Sequence, residues 1–324
     1  MFRLLHLLIV PFLLTASVAA QEIPGVRVTL VAPSLFSATA DVQMRLTMQV
    51  DEDVELPAVM LTGLDLVVRI DGEEVAPIQQ PAKGDGAPVA FTAGTRIDRL
   101  LTVPARKLLA AANGGGEAAG DGVRLVAVAW RGIVGADCAF KVAPDTTGIN
   151  VDDLDLSKTE VVLVTNFGDM RLGFRPDKAP KHVRNFVKLC LQGFYDGTRF
   201  HRVIQGFMIQ GGCPHTKDES KRQLWGTGGA GYTVDFEGSD LRHLKGTLSM
   251  ARSPDNKDSA SSGFFIVHRD ASHLDGQYSA FGNVLEGIDT LERIANVPCG
   301  GPKNSIPLQP VILQSAIVLA RKKH

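Results

Sequence analysis

The chain has 324 residues, a length that favours two domains over one. Hydrophobic residues make up 44% of the sequence and charged residues 21%, so each half has enough apolar side chains for a core, as in a folded protein. The formal net charge of -1 provides no overall attraction to nucleic acid or to an anionic membrane.

Residues 1–20 have the pattern of a signal peptide. Arg3 supplies a positive charge, an apolar stretch covers residues 4–14, and small residues at 16–20 suit cleavage. The alternative is a retained membrane anchor, although the apolar stretch is too short to span a bilayer. We therefore expect a secreted or periplasmic protein with no membrane span after cleavage.

Residues 21–143 carry the alternation of side chains that is typical of β-strands. Apolar and polar residues alternate over 42–50 and again over 64–70, where the second run ends at an Asp-Gly turn. A further strand is predicted over 123–130. Several short strands separated by turn residues favour a β-sandwich of immunoglobulin-like type, in which we find no catalytic constellation.

Residues 156–324 combine strands with helices and follow a linker that is predicted at 144–155 from its Asp, Thr and Gly content. A helix that begins at Pro180 has apolar residues at helical spacing and ends at Gly193. The other predicted elements are strands over 161–165, 170–174 and 311–319 and a short helix near Ile288. We therefore expect a chain that is mainly β in both parts.

The segment 200–212, FHRVIQGFMIQGG, places one arginine among apolar and aromatic residues. Along an unbroken strand Arg202 and Gln210 would share a face, because their separation is even, although Gly206 suggests a bulge. An alternative interpretation is a core strand with one arginine whose charged end reaches solvent. The segment alone does not decide between these two interpretations.

Several further motifs, together with this segment, form a family pattern. They are NFV at 185–187, GFYDGT at 193–198, TLSMAR at 247–252, SGFFIV at 262–267, HLDGQY at 273–278 and FGNV at 281–284. In this order they resemble the cyclophilins, and the resemblance covers residues 160–319, about half of the chain. Several separate motifs in the right order are more specific than any single short match.

The resemblance implies an eight-stranded antiparallel barrel capped by two helices, with a groove that binds proline-containing polypeptides and no cofactor. It implies a peptidyl-prolyl cis–trans isomerase in which Arg202 is the catalytic arginine and Gln210 orients it. The residues that it places around the substrate are Phe207, Met208, Ala251, Arg252, Phe265, His273, Leu274 and Tyr278. Phe207, Met208, Phe265 and Leu274 would form the pocket for the proline ring, and Ala251 and Arg252 would contribute mainly backbone contacts.

The chemistry of the X–Pro bond suits these residue types. Rotation has a barrier of about 18–20 kcal/mol, because the nitrogen lone pair is delocalised into the carbonyl group. A donor near the prolyl nitrogen stabilises the twisted transition state more than either planar form, so neither a nucleophile nor a metal is needed. Arginine suits this task because it stays charged and carries several donors in a fixed arrangement.

Three positions depart from the usual cyclophilin pattern. Gly263 stands where the family usually has Gln, which removes a side-chain hydrogen bond to the substrate backbone. His273 stands where the best-known members carry Trp, so the pocket rim is smaller and the resemblance does not predict cyclosporin binding. Tyr278 replaces a histidine that is common in the animal members, and it keeps an apolar ring with a polar tip.

We expect the isomerase to assist the folding of exported proteins. Two alternatives to this function stay open. The domain could hold proline-containing segments without turnover, as a scaffold that docks through the N-terminal domain. The N-terminal domain could also carry a separate function, such as binding to the cell envelope. Gly263 and His273 favour the scaffold, whereas Arg202 and Gln210 favour catalysis.

Other signals in the sequence are weaker. The G-x-G-x-x-G pattern at 226–231 is not followed by a predicted helix, so nucleotide binding is not expected. The histidines lack metal-site spacing and are interpreted as surface or groove residues, and the serines at 249 and 259–262 are assigned to a polar loop. The four cysteines, for which we expect no disulfide or a single one, are Cys138, Cys190, Cys213 and Cys299.

Overall fold

A computed structural model describes residues 25–31, 35–36, 42–57, 66–70, 73–75, 88–103, 124–130, 134–142 and 146–321. The predicted signal peptide at 1–20 lies outside these residues. Within them, no helix has both the length and the apolar composition that crossing a bilayer requires. The strands fall into one group before residue 146 and a second group after it.

The first group is formed by short strands, as the alternating sequence predicts. They are β1 (Val26–Val31), β2 (Leu35–Phe36), β3 (Val42–Val50), β4 (Val54–Pro57), β5 (Leu66–Ile70), β6 (Glu73–Val75), β7 (Pro88–Phe91), β8 (Arg96–Val103), β9 (Arg124–Trp130) and β10 (Val134–Val142). Their sheets have the strand orders β1-β3-β8, β2-β10-β9-β5-β6 and β4-β7. The strands predicted near 42–50, 64–70 and 123–130 are confirmed, while the immunoglobulin-like sandwich stays a prediction.

The second group contains a single large sheet and two α-helices. Its strands are β11 (Glu160–Thr165), β12 (Gly168–Phe174), β13 (Thr198–Arg199), β14 (Arg202–Ile204), β15 (Met208–Gly211), β16 (Thr247–Met250), β17 (Phe264–Val267), β18 (Ala280–Glu286), β19 (Cys299–Gly300), β20 (Ile306–Pro307) and β21 (Ile312–Leu319). The large sheet has the order β13-β21-β11-β12-β18-β16-β17-β15-β14, and its neighbouring strands are antiparallel. Strands β19 and β20 form a separate pair.

The predicted eight-stranded antiparallel barrel appears as a curled sheet of nine strand segments. The extra segment arises because residues 198–204 are divided at Phe200 and His201 into β13 and β14. These two segments lie at opposite ends of the strand order but are only two residues apart in sequence. The sheet must therefore curl until its two ends approach each other.

Both predicted helices are present in the second group. Helix α1 (Pro180–Leu191) begins at a proline, and Gly193 follows its end with a φ of 63°. Helix α2 (Ile288–Ala295) follows β18. Short 3-10 helices occupy Val151–Asp153, Pro214–Lys217, Glu219–Leu224, Lys257–Ser259, Ser272–Leu274 and Pro302–Asn304.

Aromatic residues fill the core between the curled sheet and its helices. The ring of Phe186, on α1, lies 5.1 to 5.8 Å from the rings of Phe174, Tyr195, Phe264 and Phe281, measured between centroids. All five belong to one buried cluster. This core fixes the sheet from the inside, so the outward-facing side chains of the same strands are held on a rigid support.

The end of the predicted linker packs into the second group. Val151 and Leu154 are buried members of its core cluster, because the 3-10 turn between them directs both side chains inward. Strand β3 of the first group also contacts the second group. The Arg45 guanidinium donates to the Asn166 carbonyl oxygen at 3.2 Å and lies 4.1 Å from the Phe167 ring centroid.

Candidate active site

The candidate site begins at the hairpin formed by β14 and β15. Arg202 pairs directly with Gln210 across this hairpin, so the two side chains share a face, as predicted. The reason differs from the prediction, because the segment is not one strand. Phe207 donates its N–H to the Ile204 carbonyl oxygen at 3.0 Å, and Gly206 adopts a φ of 79° in the turn between the strands.

Gln210 holds the guanidinium of Arg202. The Arg202 Nη1 donates to the Gln210 Oε1 at 3.0 Å and contacts the Met208 sulfur at 3.8 Å. Its Nε and Nη2 make no hydrogen bond within residues 146–321. Partial burial lowers the pKa of Arg202 below its usual value, and arginine still remains charged at neutral pH. A cation with unused donors therefore stands on the outer face of the sheet.

An apolar cluster lies beside this cation and is separate from the core. It contains buried Met208, Phe265 and Leu274, and Phe207 packs against it. The cluster forms on the outer face because side chains alternate along each strand: Phe264 and Ile266 point into the core, whereas Phe265 joins the cluster. All four residues that were predicted to bind the proline ring are thus brought together.

Sequence reasoning did not include three further members of the cluster. Buried Val267 and Ala271 and half-buried Ile204 complete it. Ile204 pairs with Met208, and Met208 pairs with Val267, so these residues extend the same outer face across β14, β15 and β17. The FFIV motif contains Val267 at an even spacing from Phe265, and this spacing is the signal that could have identified it.

The remaining predicted substrate residues surround the cluster. The His273 ring is exposed and lies 5.5 Å from the Phe207 ring. Tyr278 packs edge-on against Phe265 at 5.7 Å between centroids. The guanidinium of Arg252 lies 4.4 Å from the Tyr278 ring centroid. Ala251 packs against the cluster as well, so the structure brings every predicted site residue to one surface.

A buried polar chain supports Phe265 from behind. The His243 ring stacks on Phe265 at 6.0 Å with an interplanar angle of 16°. Its Nδ1 donates to Asp275 Oδ1 at 2.9 Å, and its Nε2 accepts from the Ser249 hydroxyl at 3.0 Å. Ser249 is 0% exposed, so this Asp-His-Ser chain presents no nucleophile to a substrate. It instead fixes the orientation of the His243 imidazole against the ring of Phe265.

The positions of Ser249 and of two histidines correct two interpretations of the sequence. Ser249 was assigned to a polar loop, but it is buried in β16 opposite Phe265. His243 and His268 were interpreted as surface or groove residues, but both are buried and hydrogen-bonded. Their partners are distant in sequence, so spacing along the chain gave no signal for either contact.

Burial and hydrogen bonding also shift the pKa values of His243 and Asp275. Desolvation lowers the pKa of His243 below its usual value, and its hydrogen bond to Asp275 opposes this effect. Hydrogen bonds from the His243 backbone and ring lower the pKa of Asp275. The neutral imidazole and the charged carboxylate are therefore both favoured near pH 7.

The other features considered in the sequence form no second site in residues 146–321. No group of His, Cys, Asp or Glu has the arrangement of a metal site there. The glycine-rich segment at 226–231 is a loop without a following helix. Cys190, Cys213 and Cys299 are free thiols, and the side chain of Cys138 lies outside what the structure describes.

The sequence matches known proteins over the same part of the chain. Residues 160–318 match the family model described as cyclophilin type peptidyl-prolyl cis-trans isomerase/CLD. A peptidyl-prolyl cis-trans isomerase of Synechococcus elongatus is 49% identical over 124 residues, which cover 38% of this chain and 79% of that protein. Peptidyl-prolyl cis-trans isomerase B of Bacillus subtilis is 43% identical over 141 residues, which cover 43% of this chain and 92% of that protein.

Two further comparisons extend this set. Peptidyl-prolyl cis-trans isomerase A of Dickeya dadantii is 39% identical over 173 residues, which cover 51% of this chain and 87% of that protein. A crystal structure of a Cryptosporidium parvum cyclophilin type isomerase in the presence of the dipeptide Ala-Pro is 31% identical. It covers 50% of this chain and 99% of its own, with a TM-score of 0.44. The family model spans the large sheet from β11 to β21, and the Bacillus protein aligns over nearly its full length. The chain therefore belongs to the cyclophilin-type peptidyl-prolyl cis–trans isomerase family.

Proposed function

We propose that this chain accelerates rotation about X–Pro peptide bonds and thereby assists the folding of exported proteins. The observation that carries this proposal is the position of Arg202, whose guanidinium is held by Gln210 beside the apolar cluster around Phe265. A pocket that grips an apolar ring next to a fixed cation has the two elements that the reaction requires.

The apolar cluster supplies the grip. The ring of a substrate proline would lie against Phe207, Met208, Phe265 and Leu274, while the polypeptide on the other side of the bond rotates. Burial of this ring against apolar side chains stabilises the complex in both the cis and the trans form. It therefore contributes to binding and leaves acceleration to the polar residues.

Arg202 supplies the acceleration. In the twisted state the prolyl nitrogen regains its lone pair and accepts a hydrogen bond, which it cannot do in either planar form. The Nε and Nη2 donors of Arg202 are available for this bond and for the substrate carbonyl oxygen. Gln210 keeps the guanidinium in place before substrate arrives, so little reorganisation is needed in the transition state.

The cellular part of the proposal has separate support. Residues 1–20 have a positive start, an apolar stretch and small residues at the cleavage position. This pattern favours export, and prolyl isomerisation is slow enough to limit the folding of exported chains. We therefore assign the substrates to proline-containing polypeptides outside the cytoplasm.

The activity is tested by exchange spectroscopy on a short Ala-Pro peptide with a catalytic amount of the full chain. We expect cis–trans exchange faster than in buffer, at an enzyme concentration far below that of the peptide. A rate equal to that in buffer, from a chain shown to be folded by circular dichroism, would overturn the proposal.

A non-catalytic scaffold is the second candidate, and the absence of a side chain at Gly263 favours it. A hydrogen-bonding group beside Ala251 is missing there, and this weakens the hold on the substrate backbone. Refolding of a proline-limited exported protein separates the candidates. If Arg202→Ala assists refolding as well as the wild type does, although it no longer accelerates peptide exchange, the scaffold is the correct function.

A further inference from the structure

Two guanidinium groups lie beside the apolar cluster around Phe265, the surface proposed here as the substrate groove, without a carboxylate partner among the described residues. Arg202 bonds to Gln210 and Met208. Arg252 donates to three backbone carbonyl oxygens, those of Gln277, Ser253 and Pro254. Within residues 146–321, no carboxylate lies at ion-pair distance from either group. The groove therefore carries two positive charges that the described part of the chain does not neutralise by direct contact.

This arrangement differs from the rest of the domain. Over residues 146–320 every other arginine forms an ion pair with Asp or Glu. These arginines are Arg171, Arg175, Arg184, Arg199, Arg222, Arg242, Arg269 and Arg293. The exposed Arg321, at the end of this described range, is the one further arginine of residues 146–321 without such a pair, so Arg202 and Arg252 are exceptions among the arginines inside the domain.

Both groups act on the same edge of the pocket. The Arg252 guanidinium lies 4.4 Å from the ring centroid of Tyr278, and that ring packs against Phe265. Phe265 is also the cross-strand partner of Gln210, which holds Arg202. The surface between the two cations is the surface on which the substrate must lie.

Arg252 is fixed in place before a substrate binds. Its Nε and both hydrogens of Nη1 are directed at carbonyl oxygens, and one of the two Nη2 hydrogens is directed at Gln277. One donor and the whole positive charge are left for a ligand. The side chain is half-buried, so a carboxylate close to it would be screened less than on an open surface.

The surface at Gly263, beside Ala251, is open. Ala251 donates its N–H to the Gly263 carbonyl oxygen at 2.9 Å, which places the two residues side by side. Gly263 carries no side chain, and a Cβ atom built there would contact only the Ala251 Cβ, at 3.4 Å, among neighbouring side chains. A substrate side chain next to the X–Pro bond therefore has room beside Ala251, the neighbour of Arg252 in sequence.

We propose that Arg252 makes the groove selective for proline segments that carry Asp or Glu next to the X–Pro bond. Arg202 is required for rotation itself. Arg252, whose guanidinium lies over the Tyr278 ring, sets the preference for acidic neighbours through its positive charge. This inference rests on the proposed isomerase function and adds a substrate class to it. A partly exposed charge pair of this kind changes binding by a factor of about three.

The test uses blocked peptides with an Ala-Pro core. In each peptide Glu, Gln or Lys occupies either the position before Ala or the position after Pro. The ratio of kcat/KM for the Glu peptide to that for the Lys peptide is measured by exchange spectroscopy at low ionic strength. We expect a ratio of about three at one position or more, and a lower ratio when salt is added. In Arg252→Gln the ratio should fall to about one, whatever the overall rate of that variant.

Two further variants serve as controls. Arg252→Lys keeps the charge and should keep the preference, although it loses the planar donor arrangement. Arg175→Gln removes an exposed arginine that pairs with Asp177, outside the groove, and should leave the ratio unchanged. Equal rates for Glu and Lys peptides, or a preference that survives in Arg252→Gln, would overturn the inference. If even the Gln peptide is not accelerated, the isomerase function fails together with it.

Discussion

At the scale of single residues, the site depends on polar groups that are held by one or two neighbours. Gln210 holds Arg202, and the Asp275–His243–Ser249 chain holds the ring of Phe265. These contacts fix side-chain rotamers before substrate binds, which lowers the entropy lost in the complex. Burial of histidines elsewhere in residues 146–321 has a separate consequence, for stability.

His201 is expected to make folding stability depend on pH. Burial disfavours its charged form and lowers its pKa to about 4. In the unfolded chain its pKa is near 6.5, so the unfolded state binds more protons between these values. The free energy of unfolding is therefore highest above pH 6.5 and falls as the pH drops towards 4. Burial lowers the pKa values of His182 and His243 too, which acts in the same direction.

The size of this loss can be measured by urea denaturation at pH 7 and at pH 4.5. We expect the free energy of unfolding to fall by about 2 kcal/mol through His201 alone. His201→Asn should lose less between the two pH values than the wild type does. His273→Asn replaces an exposed histidine and should behave as the wild type. A pH-dependent loss that is identical in the wild type and His201→Asn would show that His201 is not its source.

Residue types and motif order were sufficient to predict which side chains meet on one surface, and the catalytic role of Arg202 stays a prediction. The resemblance carried Arg202, Gln210 and Phe265 directly to positions that the structure brings together. It could not predict the support from His243 and Asp275, because these residues meet only through tertiary packing. A buried hydrogen bond between residues 32 positions apart leaves no periodicity in the sequence.

At the scale of elements, the β14–β15 hairpin determines the position of Phe207 beside the apolar cluster. His268 donates its backbone N–H to the Phe207 carbonyl oxygen at 2.8 Å, and its Nδ1 accepts from the Gly206 N–H at 2.9 Å. Its Nε2 then donates to Glu292 Oε2 at 2.9 Å, and Glu292 belongs to α2. Helix α2 is thereby connected to the hairpin tip that carries Phe207.

Glu292 is well suited to this role because it stays charged. Hydrogen bonds from Arg269, Lys245 and His268 hold the pKa of its carboxyl group far below the usual value. The carboxylate accepts from the His268 ring, which leaves the other ring nitrogen free to accept from Gly206. The tautomer of His268 and the position of the hairpin are therefore set together.

Removal of Glu292 is expected to weaken substrate binding more than turnover. In Glu292→Ala the hairpin tip loses an anchor and Phe207 packs less well on the proline ring, so KM should rise about fivefold, or about 1 kcal/mol. Glu292→Gln keeps an acceptor for His268 and should recover most of this loss. Glu286→Ala removes an exposed carboxylate that pairs with Arg171 and serves as control. The connection plays no part in the site if KM is the same in Glu292→Ala and Glu286→Ala.

The hairpin also shows the limit of prediction at this scale. An even spacing between Arg202 and Gln210 suggested one strand, whereas the structure turns the chain back at Gly206. Both arrangements put the two side chains on one face, so the spacing could not distinguish them. The positive φ of Gly206 was the deciding physical feature, and a glycine in the sequence is compatible with either a bulge or a turn.

At the scale of the whole molecule, the contact of β3 with the second group of strands is polar. Arg45 is only 7% exposed, and its Nη1 donates to the Gln309 side chain at 3.0 Å. The backbone of Gln43 forms two hydrogen bonds with the side chain of Gln314, at 2.7 and 2.9 Å. Alternation placed Gln43 and Arg45 on the polar face of β3, which the sequence could not assign to a partner. Interfaces between domains of one chain are commonly polar in this way.

Arg45 is therefore expected to stabilise the contact between the first and second groups of strands. Arg45→Ala leaves the buried carbonyl oxygen of Asn166 without its donor, removes the bond to the exposed Gln309, and should lower the free energy of unfolding by about 2 kcal/mol in urea denaturation. Arg27→Ala removes an exposed arginine of β1 that pairs with Asp51, and should change the free energy of unfolding much less than Arg45→Ala does. Equal effects of the two substitutions would mean that the contact contributes nothing.

The mainly β fold and the curled antiparallel sheet of the second group followed from the resemblance, whereas the ninth strand segment did not. The division of residues 198–204 into β13 and β14 depends on Phe200, whose ring is buried in the core and whose N–H bonds to Val311. This long-range contact separates the two segments. It has no counterpart in local periodicity.

The central claim is that one guanidinium stabilises the twisted X–Pro bond and contributes little to holding the planar substrate. It is tested by comparing wild type and Arg202→Ala in two measurements on the same Ala-Pro peptide, kcat/KM by exchange spectroscopy and Kd by NMR titration. We expect kcat/KM to fall about 100-fold, as for the loss of one transition-state donor, and Kd to change less than about fivefold. An unchanged kcat/KM, or a loss of affinity as large as the loss of rate, would contradict the account.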